Sequence, residues 1–480
     1  MFPVVAHDKK LMVTQEALGS DVNRLTSLFV EICECNRDQR DFTRAEVRRA
    51  IREVASCFAV YRTYVVPGRN EINDEDRGVI ERATECAKAN RQDIDGGLFD
   101  FMRDVLSLKV TGKNESEFVE RFQQFTSPVM AKGVEDTAFY CSNRLVAMNE
   151  VGGDPECDSG SVDDFHRYNA KVQKTFPMTM TTLSTHDTKR SDDVRARLAV
   201  LSEMPDAFAE AVKRWSVAAA KYRKGDLVDP GTEWFLYQTM VGAWPISAER
   251  LRDYMQKAMR EAKVRTSWVS NNGDYEGAVN SYIDALLADK AFLTDFEKFV
   301  NDIIPAGRVN SLAQVLLKYT SPGVPDLYQG GELWDLSLVD PDNRRPVDYK
   351  LRSKLLKELA SLSVEQVMSR MDDGLPKLWV THRALRLRNE QPEWLGGGAD
   401  YFPIVAKGTQ SERVIVYRRG DNVVAVVPRL SYGATWDETS FELPEGNWRN
   451  VLTNELLNGG PTRVADALVS FPVALLIRES

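Results

Sequence analysis

The chain has 480 residues, of which 43% are hydrophobic and 28% are charged. At roughly 100–200 residues per domain, this length predicts about three domains with ample material for buried cores. Lysine and arginine number 62 against 71 aspartate and glutamate residues, and the net charge of −9 argues against nucleic acid as a partner, because an acidic chain repels phosphate backbones.

Membrane and export segments are not predicted. The first ten residues lack an apolar stretch behind a basic start, and the apolar runs at 423–427 and 473–477 are too short to cross a bilayer. Six cysteines in so long a chain do not predict a disulfide framework. Cys33 and Cys35 could form a redox or metal pair, but we interpret them as reduced thiols, without a metal, in a cytoplasmic protein.

The first ninety residues are predicted to be helical. Apolar residues recur at helical spacing between Val22 and Ile32. Thr43 and Glu46 have the spacing of a capping box, which predicts a helix directly after Thr43. Residues 60–66 (VYRTYVV) are β-branched and aromatic and stop at a Pro-Gly pair, which is typical of a strand. Residues 1–92 are therefore interpreted as a helical region that leads into a first strand.

Four further segments follow in the chain. Residues 93–189 are mixed and end in a second predicted strand over 179–184, and residues 190–300 are predicted to be helical again. Residues 301–375 contain a helix and a third predicted strand over 324–328. A linking helix then opens a small antiparallel β domain within 376–480, in which residues 420–422 (GDN) predict a hairpin. Its strands are predicted at 413–418, 422–428, 439–443 and 468–477.

The most informative segment is residues 178–190 (MTMTTLSTHDTKR). A β-branched strand leads there directly into a polar cluster that contains His186 and Asp187. Barrel enzymes place catalytic groups at the carboxyl ends of their strands, so this pair is a candidate site. Taken alone the signal is weak, because a His-Asp pair after a strand is more often a structural pair.

Longer stretches of the sequence indicate a particular family of enzymes. The segment around His186, a long helical excursion and residues 323–332 (GVPDLYQGGE) together resemble the end of an α-amylase-superfamily (β/α)₈ barrel. The resemblance extends from about residue 12 to the C-terminus. Five strings resemble the maltooligosyl trehalose synthase family within that superfamily: 132–140 (KGVEDTAFY), 143–146 (NRLV), 149–155 (NEVGGDP), 182–190 (TLSTHDTKR) and 336–349 (LSLVDPDNRRPVDY).

This resemblance implies an intramolecular transglucosylation. The substrate is a maltooligosaccharide, an α-1,4-glucan, whose reducing-end glucose is rejoined through its anomeric oxygen as an α,α-1,1 trehalose unit. Asp187 takes the position of the carboxylate that stabilises the oxocarbenium-like transition state, and His186 that of its sugar-binding neighbour. The implied enzyme is a (1→4)-α-D-glucan 1-α-D-glucosylmutase, an isomerase without a cofactor.

Retaining glycoside chemistry also requires a carboxylate nucleophile and a general acid. The family carries them after its fourth and fifth strands, and the Gly-x-Arg-x-Asp stretch of the superfamily does not occur upstream of Asp187. We therefore expect an inactive fragment with an α/β plus all-β fold: a partial (β/α)₈ TIM-type barrel with large helical insertions and a C-terminal antiparallel β domain. Open barrel edges could lead to self-association.

Further polar residues could line sugar subsites, and each has a structural alternative. Lys132, Glu135 and Asp136 could instead form a solvated helix start. Lys189 and Arg190 could support Asp187 electrostatically rather than touch sugar. A charged loop after the third strand could bind sugar or be held by its own salt bridges, and it contains Asp340, Asp342, Arg344 and Arg345.

Two other functions stay open. One is a non-catalytic carbohydrate-binding or scaffold protein that kept the subsites and lost the reactive carboxylates. The other is an α-amylase-type glycoside hydrolase, although the long helical insertion between Asp187 and residue 323 argues against an ordinary amylase. The gene sequence upstream of residue 1 discriminates between a truncated enzyme and a binding protein.

Overall fold

A computed structural model describes residues 2–157 and 160–479. The chain divides into two compact units, of which the first comprises Met1–Arg144 with Lys257–Asn272 and the second comprises Leu145–Gln256 with Gly273–Ser480. Each unit has its own hydrophobic core. The five segments expected from the sequence are a finer division and stay a prediction.

The first unit is helical, as predicted, and its core contains several phenylalanine rings. Phe29 packs against Phe118 with ring centroids 4.7 Å apart, and Phe58 packs against Phe122 at 5.4 Å. The predicted capping box forms at the start of the third helix. The helices are α1 (Phe2–Glu16), α2 (Gly19–Cys35), α3 (Arg44–Cys57), α4 (Asp74–Asn90), α5 (Gly96–Leu106) and α6 (Lys113–Met130).

The strand predicted over residues 60–66 is wrong. The backbone there is irregular, and side chains satisfy its polar groups in place of a neighbouring strand. Gln123 of α6 accepts the Val65 N–H at 2.7 Å and donates to the Val65 carbonyl at 3.0 Å. The Tyr64 N–H donates to the Asp76 carboxylate at 3.0 Å. Only Thr63 and Val65 of this segment are buried, so its β-branched and aromatic composition indicates neither a strand nor a buried segment.

Replacing Gln123 by leucine should destabilise the first unit. Val65 is 4% exposed, so the variant leaves its N–H and carbonyl groups buried without a partner. Each such group costs about 1–3 kcal/mol, and we expect the free energy of unfolding to fall by about 2–4 kcal/mol in urea denaturation. Gln124→Leu is the control, because Gln124 is exposed on the same helix. Equal losses in the two variants would contradict the role of Gln123.

The second unit combines helices with two sheets. Residues 190–300 are largely helical, as their pattern predicts, and the helix predicted within residues 301–375 is the end of a longer one that spans Lys290–Thr320. Its helices are α7 (Val162–Thr175), α8 (Asp192–Ala199), α9 (Pro205–Ala219), α10 (Pro230–Ala243), the first part of α11 (Ala248–Ala262), α12 (Gly273–Ala288), α13 (Lys290–Thr320), α14 (Tyr349–Leu359), α15 (Val364–Ser369), α16 (Leu375–Glu390), α17 (Pro392–Leu395) and α18 (Val464–Ala467). The last residues of α11, from Lys257 on, belong to the first unit. Within the described ranges, none of the helices combines the length and the apolar composition that a bilayer crossing requires.

A short parallel pair forms the smaller sheet. Strand β1 (Met180–Thr181) pairs with β2 (Val324–Pro325), each much shorter than the predicted strands at 179–184 and 324–328. The parallel direction agrees with barrel-type strands joined by a helical crossover. The rest of a barrel is not represented among the strands of the described residues, so the partial barrel stays a proposal.

The predicted C-terminal antiparallel domain is confirmed. Its six strands are arranged in the order β3-β4-β5-β8-β6-β7, and the predicted hairpin at residues 420–422 joins β4 to β5. Two strands, β3 and β7, escaped the sequence patterns because each contains proline. The strands are β3 (Tyr401–Ile404), β4 (Val414–Arg419), β5 (Val423–Pro428), β6 (Ser440–Asn450), β7 (Leu456–Arg463) and β8 (Ala474–Arg478).

Strand β5 is apolar throughout because it is covered on both faces. Ala425 and Val427 belong to a core shared with α13 and α16, whereas Val424 and Val426 belong to a core within the sheet domain. Side chains of a strand alternate between its two faces, so a continuous apolar run indicates burial on both. This packing fixes the C-terminal sheet against α13 and α16.

Candidate functional site

The candidate site begins at the pair of strands β1 and β2. The Val324 N–H donates to the Thr179 carbonyl at 2.8 Å, and the Asp326 N–H donates to the Thr181 carbonyl at 2.7 Å. Gly323 precedes β2 with a φ of +134°, and a Cβ there would lie 2.8 Å from the Thr179 carbonyl oxygen. Only glycine therefore permits this close approach of the two backbones.

His186 and Asp187 lie at the tip of a turn beyond the carboxyl end of β1. The Thr188 hydroxyl donates to the Thr185 carbonyl at 2.9 Å, and the Asp187 N–H donates to the Thr185 hydroxyl at 3.2 Å. Both tip side chains are exposed. In the described part of the chain, no hydrogen bond or ion pair engages the His186 ring or the Asp187 carboxylate. The two groups are thus held on a fixed backbone and are available to a ligand.

Glu150 binds the backbone that directly follows this turn. Its carboxylate accepts the N–H groups of Lys189 at 2.7 Å and of Arg190 at 3.2 Å. Both residues are buried, and the Arg190 guanidinium donates to the Val146 carbonyl and the Tyr254 hydroxyl, each at 3.1 Å. An arginine held in this way supports the turn from inside. For Arg190 the geometry favours the supporting role over direct contact with sugar.

The loop that follows β2 lies against the turn. The Ser191 N–H donates to the Ser337 carbonyl at 2.9 Å, and the Val339 N–H donates to the Lys189 carbonyl at 3.1 Å. The Asn343 side chain donates to the His186 carbonyl at 2.9 Å. The charged loop predicted from the sequence is therefore part of the wall beside the candidate pair.

Asp342 is the buried centre of that loop. Arg250 donates to both carboxylate oxygens of Asp342 at 2.8 Å, and the Leu338 N–H donates to one of them at 2.8 Å. Burial opposes ionisation, but the hydrogen bonds from Arg250 and Leu338 and the Arg250 charge hold the pKa of Asp342 below its usual value. Asp342 therefore acts here as a structural anion.

The remaining charged residues of the loop are more accessible. Asp340 and Arg344 form an ion pair in which the arginine side chain is largely exposed. The half-exposed Arg345 lies 3.2 Å from the Asp342 carboxylate. Asp340, Arg344 and Arg345 therefore stay candidates for sugar contact.

A charged cluster beneath the turn was missed in the sequence. Lys377 of α16 donates to Asp192 at 3.0 Å and to Asp193 at 2.7 Å, and all three side chains are buried. Burial, together with the neighbouring Asp192, raises the pKa of Asp193 to about 6 against the opposing charge of Lys377. Although burial lowers the pKa of Lys377, the two carboxylates raise it above its usual value. The sequence feature that could have indicated this cluster is Lys377, a lysine within the apolar run at 375–380.

Asp193 also joins the cluster to the loop. Its carboxylate accepts the Asp335 N–H at 2.6 Å, and the Ser184 hydroxyl donates to Asp192 at 3.2 Å. A cavity of about 190 Å³ lies next to this cluster and is lined in part by Asp193, Trp244 and Trp334. His186 and Asp187 do not line it. The candidate pair therefore lies on an open surface of the second unit.

Lys132, Glu135 and Asp136 belong to the first unit. Lys132 and Glu135 lie on a π-helical turn (Ala131–Glu135) that continues α6, and Asp136 directly follows it; such turns are frequent at functional sites. Lys132 pairs with Asp136 at 2.7 Å, while the buried Glu135 accepts a hydrogen bond from the Tyr61 hydroxyl. Lys132 and Asp136 remain candidates for sugar contact, and Glu135 is placed inside the unit.

The similar proteins and the similar solved structures described here belong to one family. No family model matches the chain. It is 40% identical over 370 residues to a candidate maltooligosyl trehalose synthase of Mycobacterium tuberculosis strain H37Rv, and the match covers 75% of this chain and 45% of that protein. The same values hold for the protein of strain CDC 1551.

Solved structures give the same result. The maltooligosyltrehalose synthase from Arthrobacter ramosus superposes with a TM-score of 0.85 and 33% identity, covering 99% of this chain and 58% of that one. The hypothetical maltooligosyl trehalose synthase from Sulfolobus tokodaii superposes with a TM-score of 0.76 and 29% identity, covering 100% of this chain and 58% of that one. The chain thus spans about half the length of the relatives that it matches.

Proposed function

We propose that this chain, a homologue of maltooligosyl trehalose synthase, supplies the Asp187 side of the active site of a trehalose-forming transglucosylase. The observation that carries the proposal is the exposed carboxylate of Asp187, which has no partner among the described residues and lies on a hydrogen-bonded turn beyond β1. Barrel enzymes place their reacting groups at this end of their strands. The substrate class is a maltooligosaccharide, and the product carries a terminal α,α-1,1 linkage.

In this proposal Asp187 stabilises developing charge and does not itself form or break a covalent bond. When the glycosidic bond breaks, positive charge develops at the anomeric carbon and the ring oxygen of the sugar. A carboxylate that is already fixed in place stabilises that charge without reorganisation, and its hydroxyl contacts hold the distorted ring. His186, on the same turn, donates to a neighbouring sugar hydroxyl.

The nucleophile and the general acid are proposed to lie outside this sequence. Without a nucleophile no glycosyl-enzyme forms, and without an acid the leaving oxygen would depart as an alkoxide. Asp187 can replace neither. The pair β1 and β2 is accordingly proposed to be part of a (β/α)₈ barrel whose other strands come from the portion of the family that this chain does not match.

The experiment compares the chain alone with a reconstituted enzyme. The chain is incubated with maltopentaose, and the products are separated by chromatography. We expect neither a trehalose-terminated product nor free glucose. Coexpression with the segment of the Arthrobacter ramosus synthase that this chain does not cover should yield a complex that forms the trehalose-terminated product.

Each other outcome would contradict the proposal in a defined way. Trehalose-terminated product from the chain alone would mean that the nucleophile and acid lie within it. Free glucose as the main product of the complex would indicate a hydrolase. A stable complex that binds maltopentaose without turnover would favour a carbohydrate-binding protein.

A further inference from the structure

Three helices of the first unit bring four metal-ligating side chains together. His7 lies on α1, Glu53 and Cys57 lie on α3, and Cys86 lies on α4. Glu53 and Cys57 are four residues apart and therefore share one helix face. The sequence hides the group because its members are dispersed over eighty residues without a recognisable metal-site spacing.

The donor atoms lie close to one another. His7 Nε2 is 2.7 Å from Glu53 Oε1, and a nitrogen of His7, an oxygen of Glu53 and the Cys57 sulfur lie within 4.8 Å of one another. The Cys86 sulfur lies beside this group, 3.7 Å from the Asn90 amide nitrogen that is 3.6 Å from the Cys57 sulfur. Two thiols, an imidazole and a carboxylate are a ligand set that zinc accepts.

The amide of Asn90 lies at the point where these donors meet. Its Nδ2 atom is 3.0 Å from Glu53 Oε1 and 3.4 Å from His7 Nε2. It is 3.6 Å from the Cys57 sulfur and 3.7 Å from the Cys86 sulfur. The Glu53 oxygen and the two cysteine sulfurs thus converge on one electropositive group, as they would on a bound cation. His7 Nε2, which donates to Glu53 at 2.7 Å, becomes a fourth electron-pair donor when it loses its proton. Asn90 is exposed at the end of α4, so its side chain can rotate away.

We propose that His7, Glu53, Cys57 and Cys86 form a zinc-binding site, in which the metal takes the place of the Asn90 amide. Zinc binds nitrogen and oxygen at about 2.0–2.2 Å and thiolate sulfur at about 2.3 Å, so the four side chains close inward by rotamer changes. The two thiol protons and any proton on His7 Nε2 are released to solvent on binding. This site is independent of the function proposed for Asp187.

The charges around the cluster suit a divalent cation. With Glu53 and both thiols ionised, the ligands carry three negative charges, and binding of Zn²⁺ reduces the net charge of the site to −1. The buried Lys10 ammonium, which donates to the Phe58 carbonyl at 2.6 Å, balances that charge. Arg91 lies 4.0 Å from Glu53, and Asp8 lies 3.8 Å from His7 Nδ1. The carboxylate of Asp8 can orient the imidazole, as outer partners of metal-bound histidines do.

All six cysteines are free in the structure, as interpreted from the sequence, and the proposal assigns a metal-binding role to two of them, Cys57 and Cys86. The pair considered in the sequence, Cys33 and Cys35, does not contribute, since Cys33 is buried in the helical core on α2. Cys57 and Cys86 are 29 positions apart, and the pairing follows only from the packing of α3 on α4.

Metal titration of the full chain tests the proposal. The reduced protein is freed of metal with a chelator and titrated with Zn²⁺ against a chromophoric competitor, and with Co²⁺ by absorption spectroscopy. We expect about one equivalent of zinc per chain and, for cobalt, thiolate charge-transfer bands with the intense visible bands of tetrahedral geometry. Cys57→Ser and Cys86→Ser should each weaken zinc binding by more than about 100-fold, since loss of outer partners alone costs 10–100-fold.

Two further variants separate ligation from folding. Cys35→Ser is the matched control, because Cys35 is exposed and outside the cluster, and its zinc affinity should not change. Asn90→Ala should bind zinc roughly three- to tenfold more tightly, because the metal no longer displaces the hydrogen bonds of the amide. The proposal is overturned by octahedral cobalt spectra, by equal loss in Cys35→Ser, by weaker binding in Asn90→Ala, or by a Cys57–Cys86 disulfide whose reduction restores no zinc binding.

Discussion

Asp187→Asn is expected to lower the turnover of the reconstituted enzyme by at least ~10²-fold, the usual loss when one preorganised electrostatic group is removed from an active site. Asparagine keeps the shape of the side chain and one acceptor oxygen but removes the negative charge. Because the charge acts on the transition state, kcat and kcat/KM should fall together while the affinity for maltopentaose changes little. Initial rates of formation of the trehalose-terminated product, measured over a range of maltopentaose concentrations, give kcat and kcat/KM.

The control for that variant is Asp421→Asn. Asp421 is a largely exposed aspartate in the β4–β5 hairpin, where it pairs with Arg418 at 2.9 Å, and it is not part of the turn. Its removal should leave turnover within about twofold, as is usual for surface substitutions. Near-normal turnover by Asp187→Asn, or an equal loss in both variants, would remove Asp187 from the catalytic set.

The sequence predicted those parts of the fold that are encoded locally. The capping box at Thr43, the hairpin at residues 420–422 and the strand predicted over 422–428 each follow from neighbouring residues, and each forms. The polar turn with His186 and Asp187 was found in the same way, because a strand runs into it. Family strings, rather than periodicity, supplied the chemistry assigned to that turn.

The features that the sequence did not predict depend on contacts between distant segments. Residues 60–66 have strand composition, but Gln123 occupies the position of a neighbouring strand. Lys377 lies 184 positions from Asp193, and no local pattern links them. Cys57 and Cys86 are likewise brought together by helix packing. Charged and thiol groups inside a protein pair through tertiary structure, and a single sequence contains no record of that pairing.

Lys377→Met should destabilise the second unit strongly. The lysine is fully buried between Asp192 and Asp193, and methionine fills a similar volume without the charge. Two adjacent buried carboxylates would then lose the ammonium group that donates to both of them. Removing one partner of a buried ion pair costs about 3–5 kcal/mol, and we expect a loss of that size in the free energy of unfolding near neutral pH. Lys350→Met, at an exposed position, is the control.

The pH dependence separates this electrostatic effect from a packing defect. The pKa of Asp193 is raised from 3.8 to about 6 in the folded chain, so the stability that its protonated form contributes is present below about pH 4 and is lost as the pH rises through about 6. Without Lys377 that pKa rises further, and the deficit of Lys377→Met should therefore shrink between ~pH 8 and ~pH 5. Adding Asp192→Asn and Asp193→Asn to Lys377→Met removes both carboxylate charges. The triple variant should recover much of the lost free energy of unfolding at ~pH 8. A deficit that does not vary with pH, and that the added substitutions leave unchanged, would instead identify Lys377 as a packing residue whose charge is immaterial.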